Sequence, residues 1–226
     1  MKIGFFGKLP GYGDFVQRNT NHKVIDYWDN WITQSIDASQ GILDHDWKTT
    51  FFNSPIWRFH IQGGVVVPDA ISGLMMPSID SAGRCYPFVV ICQLKPPTNI
   101  FSLASKLDDF HANCEDFIIR LLEQQRPDLD DITQFLQRHY EKFKCHRLPD
   151  IKNNISTNSA DIYRTLNPNL LSFSDVHEAF LSHILAQQSV PISIWHTAQS
   201  SQVKQQYRYY QGMPPVEAFV TLLKGE

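Results

Sequence analysis

Between Trp57 and Leu94, three apolar runs follow one another with only turn-forming residues between them. Trp57 to Ile61 alternates as a strand, with Trp57, Phe59 and Ile61 on one face. Gly63-Gly64 breaks that run, and Ile71 to Met76 and Phe88 to Leu94 follow. Pro77 to Pro87 separates the last two runs and contains Gly83, which predicts a hairpin with a long, decorated loop. These connections are too short for helical crossovers, so this part of the sheet is expected to be antiparallel.

Helices and strands interleave elsewhere. Lys2 to Phe6 reads as a buried strand, and Gly7 to Gly13, with three glycines and a proline, has to turn. Asn21 is placed to cap a helix with Val24, Ile25, Trp28, Trp31, Ile32, Ser35 and Ile36 on its apolar face, stopping at Gly41. Leu103, Leu107, Phe110, Cys114, Phe117, Ile118, Leu121 and Leu122 form the stripe of one long helix, ended by Pro127. Ile132, Phe135, Leu136, His139, Tyr140 and Phe143 form the next stripe. Lys144 to Pro168 is irregular and is the candidate mobile segment, and Ser174 is placed to cap a helix to about Gln188. Ile192 to Trp195 and Tyr207 to Tyr210 read as strands, and Pro214-Pro215 as the start of a last helix. The pattern predicts a layered α/β domain, helices covering a mixed, partly antiparallel sheet, as a single domain over residues 1–226.

Charge and cysteine usage narrow the function. With 20 Lys and Arg against 23 Asp and Glu, the net charge is −3, and no long basic run exists to neutralise phosphates. Nucleic-acid binding is therefore not expected. No apolar run approaches the roughly 18–20 residues of a membrane helix, so no membrane insertion is expected. Cys85, Cys92, Cys114 and Cys145 match no metal ribbon and read as reduced cysteines of a cytosolic protein.

Motifs for catalysis fail on spacing. Gly4-Phe5-Phe6-Gly7-Lys8-Leu9 lacks the four residues of a phosphate loop, and Leu9 stands where Ser or Thr would hold magnesium. Asp128, Asp130 and Asp131 suggest a calcium loop, but Thr133 and His139 replace its glycine and glutamate. Those acids suit the N-terminus of the following helix instead. No Gly-x-Ser-x-Gly elbow is present. Neither a cofactor nor a metal site is expected. Asp80 and Arg84 lie on opposite sides of a turn and are placed to pair, either holding the loop or forming a charged recognition surface.

Several blocks together resemble a known family. They are Gly4-Phe5-Phe6-Gly7-Lys8-Leu9-Pro10 with Gly13-Asp14-Phe15-Val16 and Arg18, then Trp28-Asp29-x-Trp31, then Ser54-Pro55-Ile56-Trp57-Arg58-Phe59. Gly73-Leu74-Met75-Met76-Pro77-Ser78-Ile79-Asp80, Gly83-Arg84 and Tyr86-Pro87-Phe88 follow, and Ser193-Ile194-Trp195 with Gly212-Met213-Pro214-Pro215 and Ala218-Phe219 closes the set. In this order they resemble the TagF/ImpM family of bacterial type VI secretion accessory proteins. Two departures stand out. Asn19-Thr20-Asn21 replaces a Leu-Pro of the family pattern, and Trp195-His196 stands where two tryptophans often pair.

The resemblance implies a three-layer α/β/α sandwich and a non-catalytic, cytosolic protein. It implies a post-translational repressor of type VI secretion that binds the system's forkhead-associated scaffold protein. The expected partner-binding residues are Lys8, Asp14, Arg18, Ser78, Asp80 and Arg84 on two loops, with Trp57 and Arg58 as an anchor. The competing expectations are a small hydrolase using Cys85 or an Asp14/Asp80 carboxylate pair, and a structural accessory subunit of the secretion machine.

Overall fold

Among the described residues, seven strands make the central sheet, in the order β2-β1-β5-β4-β3-β8-β9. They are β1 (Lys2–Gly7), β2 (Val16–Arg18), β3 (Trp57–Ile61), β4 (Ala70–Met76), β5 (Phe88–Leu94), β8 (Ile192–Thr197) and β9 (Gln206–Gln211). A separate hairpin pairs β6 (Ile155–Asn158) with β7 (Asp161–Arg164). The computed structural model describes residues 2–95, 100–144, 155–158, 161–164, 190–198 and 204–225. The helix expected after Ser174, most of the segment 144–168 and Cys145 lie outside the described residues.

Every pairing in the large sheet is antiparallel. This corrects the expectation of a mixed sheet. Both long helical excursions return the chain antiparallel to its neighbour: β3 follows the first, and β8, which pairs with β3, follows the second. The short connections within β3–β5 form the antiparallel set that the spacing of the apolar runs predicts.

The strands β3, β4 and β5 are buried at every position, so both faces of the sheet are covered. On one face lie α1 (His22–Leu43), α2 (Trp47–Phe52) and α6 (Phe219–Lys224), contributing to a cluster rich in aromatic rings. Trp28 packs 4.6 Å from Phe59 and 5.9 Å from Trp195, centroid to centroid. Each such pair adds about 0.5–1.5 kcal/mol beyond its burial. On the other face, α3 (Ile100–Lys106), α4 (Asp108–Leu122) and α5 (Leu129–Lys144) bury Leu103, Ile118 and Ile132 against Phe88, Val90 and Leu94.

The Asn21 side chain accepts from the Lys23 N–H, as a cap should. Helix α1 nevertheless continues past Gly41 to Leu43. Leu43 packs against the aromatic cluster and sustains the extra turn, although glycine costs about 1 kcal/mol relative to alanine in a helix. The single helix expected over Leu103 to Leu122 is two, α3 and α4, divided at Leu107. Leu107 stays fully buried, so the apolar stripe runs unbroken across the division. Asp108 and Asp109 occupy the first turn of α4, where the helix dipole favours them.

Candidate functional site

Two loops meet at one end of the sheet. The first follows β1 and the second joins β4 to β5. Gly7 has φ +130°, and a Cβ there would lie 2.2 Å from the Pro87 carbonyl oxygen. Gly11 has φ +76°, and its Cβ would lie 2.4 Å from the Gln125 carbonyl oxygen. Only glycine lets the first loop turn and pass so close to its neighbours.

Asp80 ties the loops together. Its Oδ1 accepts from the Ala82 and Arg84 N–H groups, both at 2.9 Å. Its Oδ2 accepts from Lys8 Nζ at 2.5 Å and Arg84 Nε at 2.7 Å. Arg84 Nη2 donates to the Gly13 carbonyl at 2.6 Å, and the Ser81 N–H donates to the Tyr12 carbonyl at 2.9 Å. Burial alone would push the Asp80 carboxyl up; the Lys8 and Arg84 hydrogen bonds and the Ala82 N–H outweigh it. They hold it well below the usual carboxylate range. The expected Asp80–Arg84 pair is therefore present, and Lys8 completes it. Arg18 is not part of it: on β2, its Nη1 donates to the Gln17 carbonyl.

Burial divides the expected partner-binding residues. The side chains of Lys8 and Asp80 are 7% and 0% exposed, and Ser78 is buried. These three build the loops from within. The Arg84 side chain is 60% exposed, and Asp14 and Arg18 face solvent. Phe15, beside Asp14, is 48% exposed, with its ring 4.7 Å from Tyr86 and 5.0 Å from Lys8 Nζ.

Trp57 and Arg58 do not form a surface anchor. Strand β3 is central, so its alternating side chains enter the two cores instead of solvent. The Trp57 indole N–H donates to the Leu222 carbonyl in the aromatic core. Arg58 points the opposite way, beneath α4, and is 6% exposed. Its Nε and Nη2 donate to the two Glu115 carboxylate oxygens at 2.6 and 2.7 Å, and Nη1 pairs with Asp108.

Around Arg58 lies a second polar cluster. His60 shares its face of β3, and Ser72 lies directly opposite His60 on β4. His196 lies opposite Arg58 on β8, and α4 lowers His111 onto the group. The His60 and His196 Nε2 atoms are 3.1 Å apart. Ser72 Oγ lies 3.0 Å from His60 Nδ1 and 3.3 Å from His111 Nε2. His111 Nδ1 is buried with no hydrogen-bond partner among the described residues. Burial, reinforced by the Arg58 charge, holds all three rings well below the usual imidazole range, His196 at about 4. They are neutral at pH 7.

No spacing motif announces this cluster, because its members come from β3, β4, β8 and α4. The available signal was indirect. His60 alternates with the apolar Phe59 and Ile61, and His111 falls between Leu107 and Cys114 in the apolar stripe of α4. Polar residues at such positions require partners that only the tertiary structure supplies.

The two expected nucleophilic sites are constrained. Burial pushes the half-buried Cys85 thiol up from its ordinary value, with Asp80 adding to that effect. Both Asp80 oxygens are engaged by donors. Cys85, Cys92 and Cys114 are free thiols. No helix among the described residues is long and apolar enough to cross a membrane.

Residues 4–139 match the family described as the TagF N-terminal domain, type VI secretion system-associated. The crystal structure of PA0076 from Pseudomonas aeruginosa PAO1 has the same fold, with a TM-score of 0.77 at 27% identity. The similarity covers 99% of this chain and 94% of that one. No curated protein matches the chain.

Proposed function

The chain belongs to the TagF family of type VI secretion system-associated proteins, and on that premise we propose that it is a non-catalytic, cytosolic repressor of type VI secretion. It acts after translation, by binding the forkhead-associated scaffold protein of the system. Helices over both faces of the sheet support a three-layer α/β/α sandwich as the rigid frame for this task.

The observation that carries the proposal is the locking of two loops by one buried carboxylate. Asp80 fixes the backbone of its own loop and pins Lys8, while Arg84 reaches across to Gly13. The exposed groups Asp14, Phe15, Arg18 and Arg84 are thereby presented on or beside a preformed frame. A preorganised loop loses less conformational entropy on binding, so more of the contact energy appears as affinity. Aromatic residues and arginine, here the exposed Phe15, Arg18 and Arg84, are also enriched at protein–protein interfaces. The protonated Cys85 thiol and the fully engaged Asp80 carboxylate favour this reading over a hydrolase.

The test is a binding titration of the purified chain against the forkhead-associated scaffold of the same bacterium, phosphorylated and unphosphorylated. Phe15→Ala and Arg84→Ala are the variants. Saturable binding, weakened by both, is the expected result. Absence of binding to either scaffold form overturns the proposal. Stoichiometric co-assembly into the active machine would favour a structural subunit.

A further inference from the structure

The cluster beneath α4 has no part in the loop surface, yet it gathers three buried imidazoles with a ring nitrogen of each within 4.8 Å of the others. We propose that His60, His111 and His196 bind a divalent transition-metal ion of the zinc class, with Ser72 orienting the set.

The geometry fits such an ion. One ring nitrogen from each histidine lies within 4.8 Å of the others. Two nitrogens bound to one tetrahedral ion at about 2.0–2.1 Å stand about 3.3 Å apart, with their ring centroids about 5 Å apart. The His60 and His196 Nε2 atoms are 3.1 Å apart. The ring centroids of His60 and His111 are 5.3 Å apart, and so are those of His60 and His196.

Hydrogen bonding points the same way. A histidine ligand ordinarily donates its second ring N–H to a fixed oxygen, which sets the tautomer. Ser72 Oγ lies 3.0 Å from His60 Nδ1, placed to accept such an N–H and to leave the His60 Nε2 lone pair turned toward His196. His196 Nε2 is within hydrogen-bond distance of that nitrogen, and a shared ion would take both nitrogens as ligands in place of that hydrogen bond. His111 enters from the helix with its Nδ1 unpartnered among the described residues and its ring fully buried. Buried polar atoms without partners are rare and commonly mark a missing ion or water.

Charge and access are compatible with a cation. Arg58, the cation beside the cluster among the described residues, is covered by both Glu115 oxygens and by Asp108. His196 stacks against Tyr207 at 5.2 Å, and that tyrosine is 58% exposed, so a single ring separates the cluster from solvent. An ion held here ties α4 to β3 and β8. The fourth position of a tetrahedral ion is left to water.

The experiment uses the full-length, tag-free chain after dialysis against a chelator, with Co²⁺ as a visible-absorbing probe and Zn²⁺ as competitor. One equivalent of Co²⁺ should give saturable d–d absorption that Zn²⁺ abolishes, and Zn²⁺ should raise the melting temperature. His196→Gln and His111→Gln should each weaken Co²⁺ binding by at least about 100-fold, and Ser72→Ala by about 10-fold with all three ligands retained. Folding of each variant is checked by its circular dichroism. Folded wild type that gives no saturable absorption overturns the proposal. So does binding undiminished in the histidine variants, which would assign the ion to the other six histidines of the chain.

Discussion

At the end of the sheet, the Asp80 carboxylate accepts four hydrogen bonds, from Lys8, Ala82 and twice from Arg84. Beneath α4, Arg58 is satisfied in a similar way by Glu115 and Asp108, but the imidazoles beside it are satisfied less completely. His111 keeps a nitrogen without a partner among the described residues, and His60 and His196 bond only to each other through their Nε2 atoms. The first cluster is a closed lock, its charge spent on holding two loops in one shape. The second is a closed ion pair beside three neutral imidazoles that share few hydrogen bonds. The contrast separates charge that builds a surface from charge and lone pairs that hold a ligand.

The largest expected effect falls on the second cluster. Arg58→Leu leaves Glu115, whose side chain is 12% exposed, without its bidentate partner. Breaking a buried pair in this way costs about 3–5 kcal/mol. Chemical denaturation should show the loss, and a change under about 1 kcal/mol would mean that Glu115 relaxes into water. On the first cluster, Asp80→Ala strands the Lys8 ammonium and two loop N–H groups. About 2–3 kcal/mol is expected, since hydrogen bonds to charged groups are worth more than neutral ones. The same variant should lose scaffold binding even when folded, because the loops are no longer held together.

These two clusters also show what was legible in the sequence. Asp80 and Arg84 sit four residues apart across a turn, so their pairing could be read directly, whereas Lys8 joins them only through the β1–β5 pairing. The apolar runs at Trp57–Ile61, Ile71–Met76 and Phe88–Leu94 announced three strands because glycine and proline bound them. The division at Leu107 was hidden, because the apolar stripe passes through Leu103, Leu107 and Phe110 without interruption. The direction of β8 was hidden too, because a long helical connection is compatible with either orientation of the strand that follows it. Burial of Trp57 and Arg58 depended on that outcome: β3 becomes central only once β8 pairs with its free edge. The histidine cluster needed the whole sheet register and the placement of α4 together.

Acid titration sharpens the first half of the comparison. The folded Asp80 carboxyl is depressed below its unfolded value, so the unfolded state takes up its proton first as the pH falls. Its contribution is fully present above the unfolded carboxylate value of about 3.9 and declines as the pH drops below that. Asp80→Asn should therefore flatten the acid limb of the stability curve relative to wild type. An unchanged limb would show that Asp80 keeps a solvent-like environment.

The smallest expected stability effect is at the exposed rim of the lock. Arg84→Ala should cost only about 0–1 kcal/mol, since its side chain is 60% exposed. Scaffold affinity should fall nonetheless. A large loss of stability would move Arg84 from the binding surface into the frame.

Hydrogen–deuterium exchange of the chain, with and without the scaffold protein, tests the division between the two regions most directly. Slowed exchange confined to residues 11–18 and 80–86, with the amides of β3, α4 and β8 unchanged, is the predicted result. Protection centred on α4, β8 or β9, with the two loops unaffected, would contradict it and place the partner over the histidine cluster.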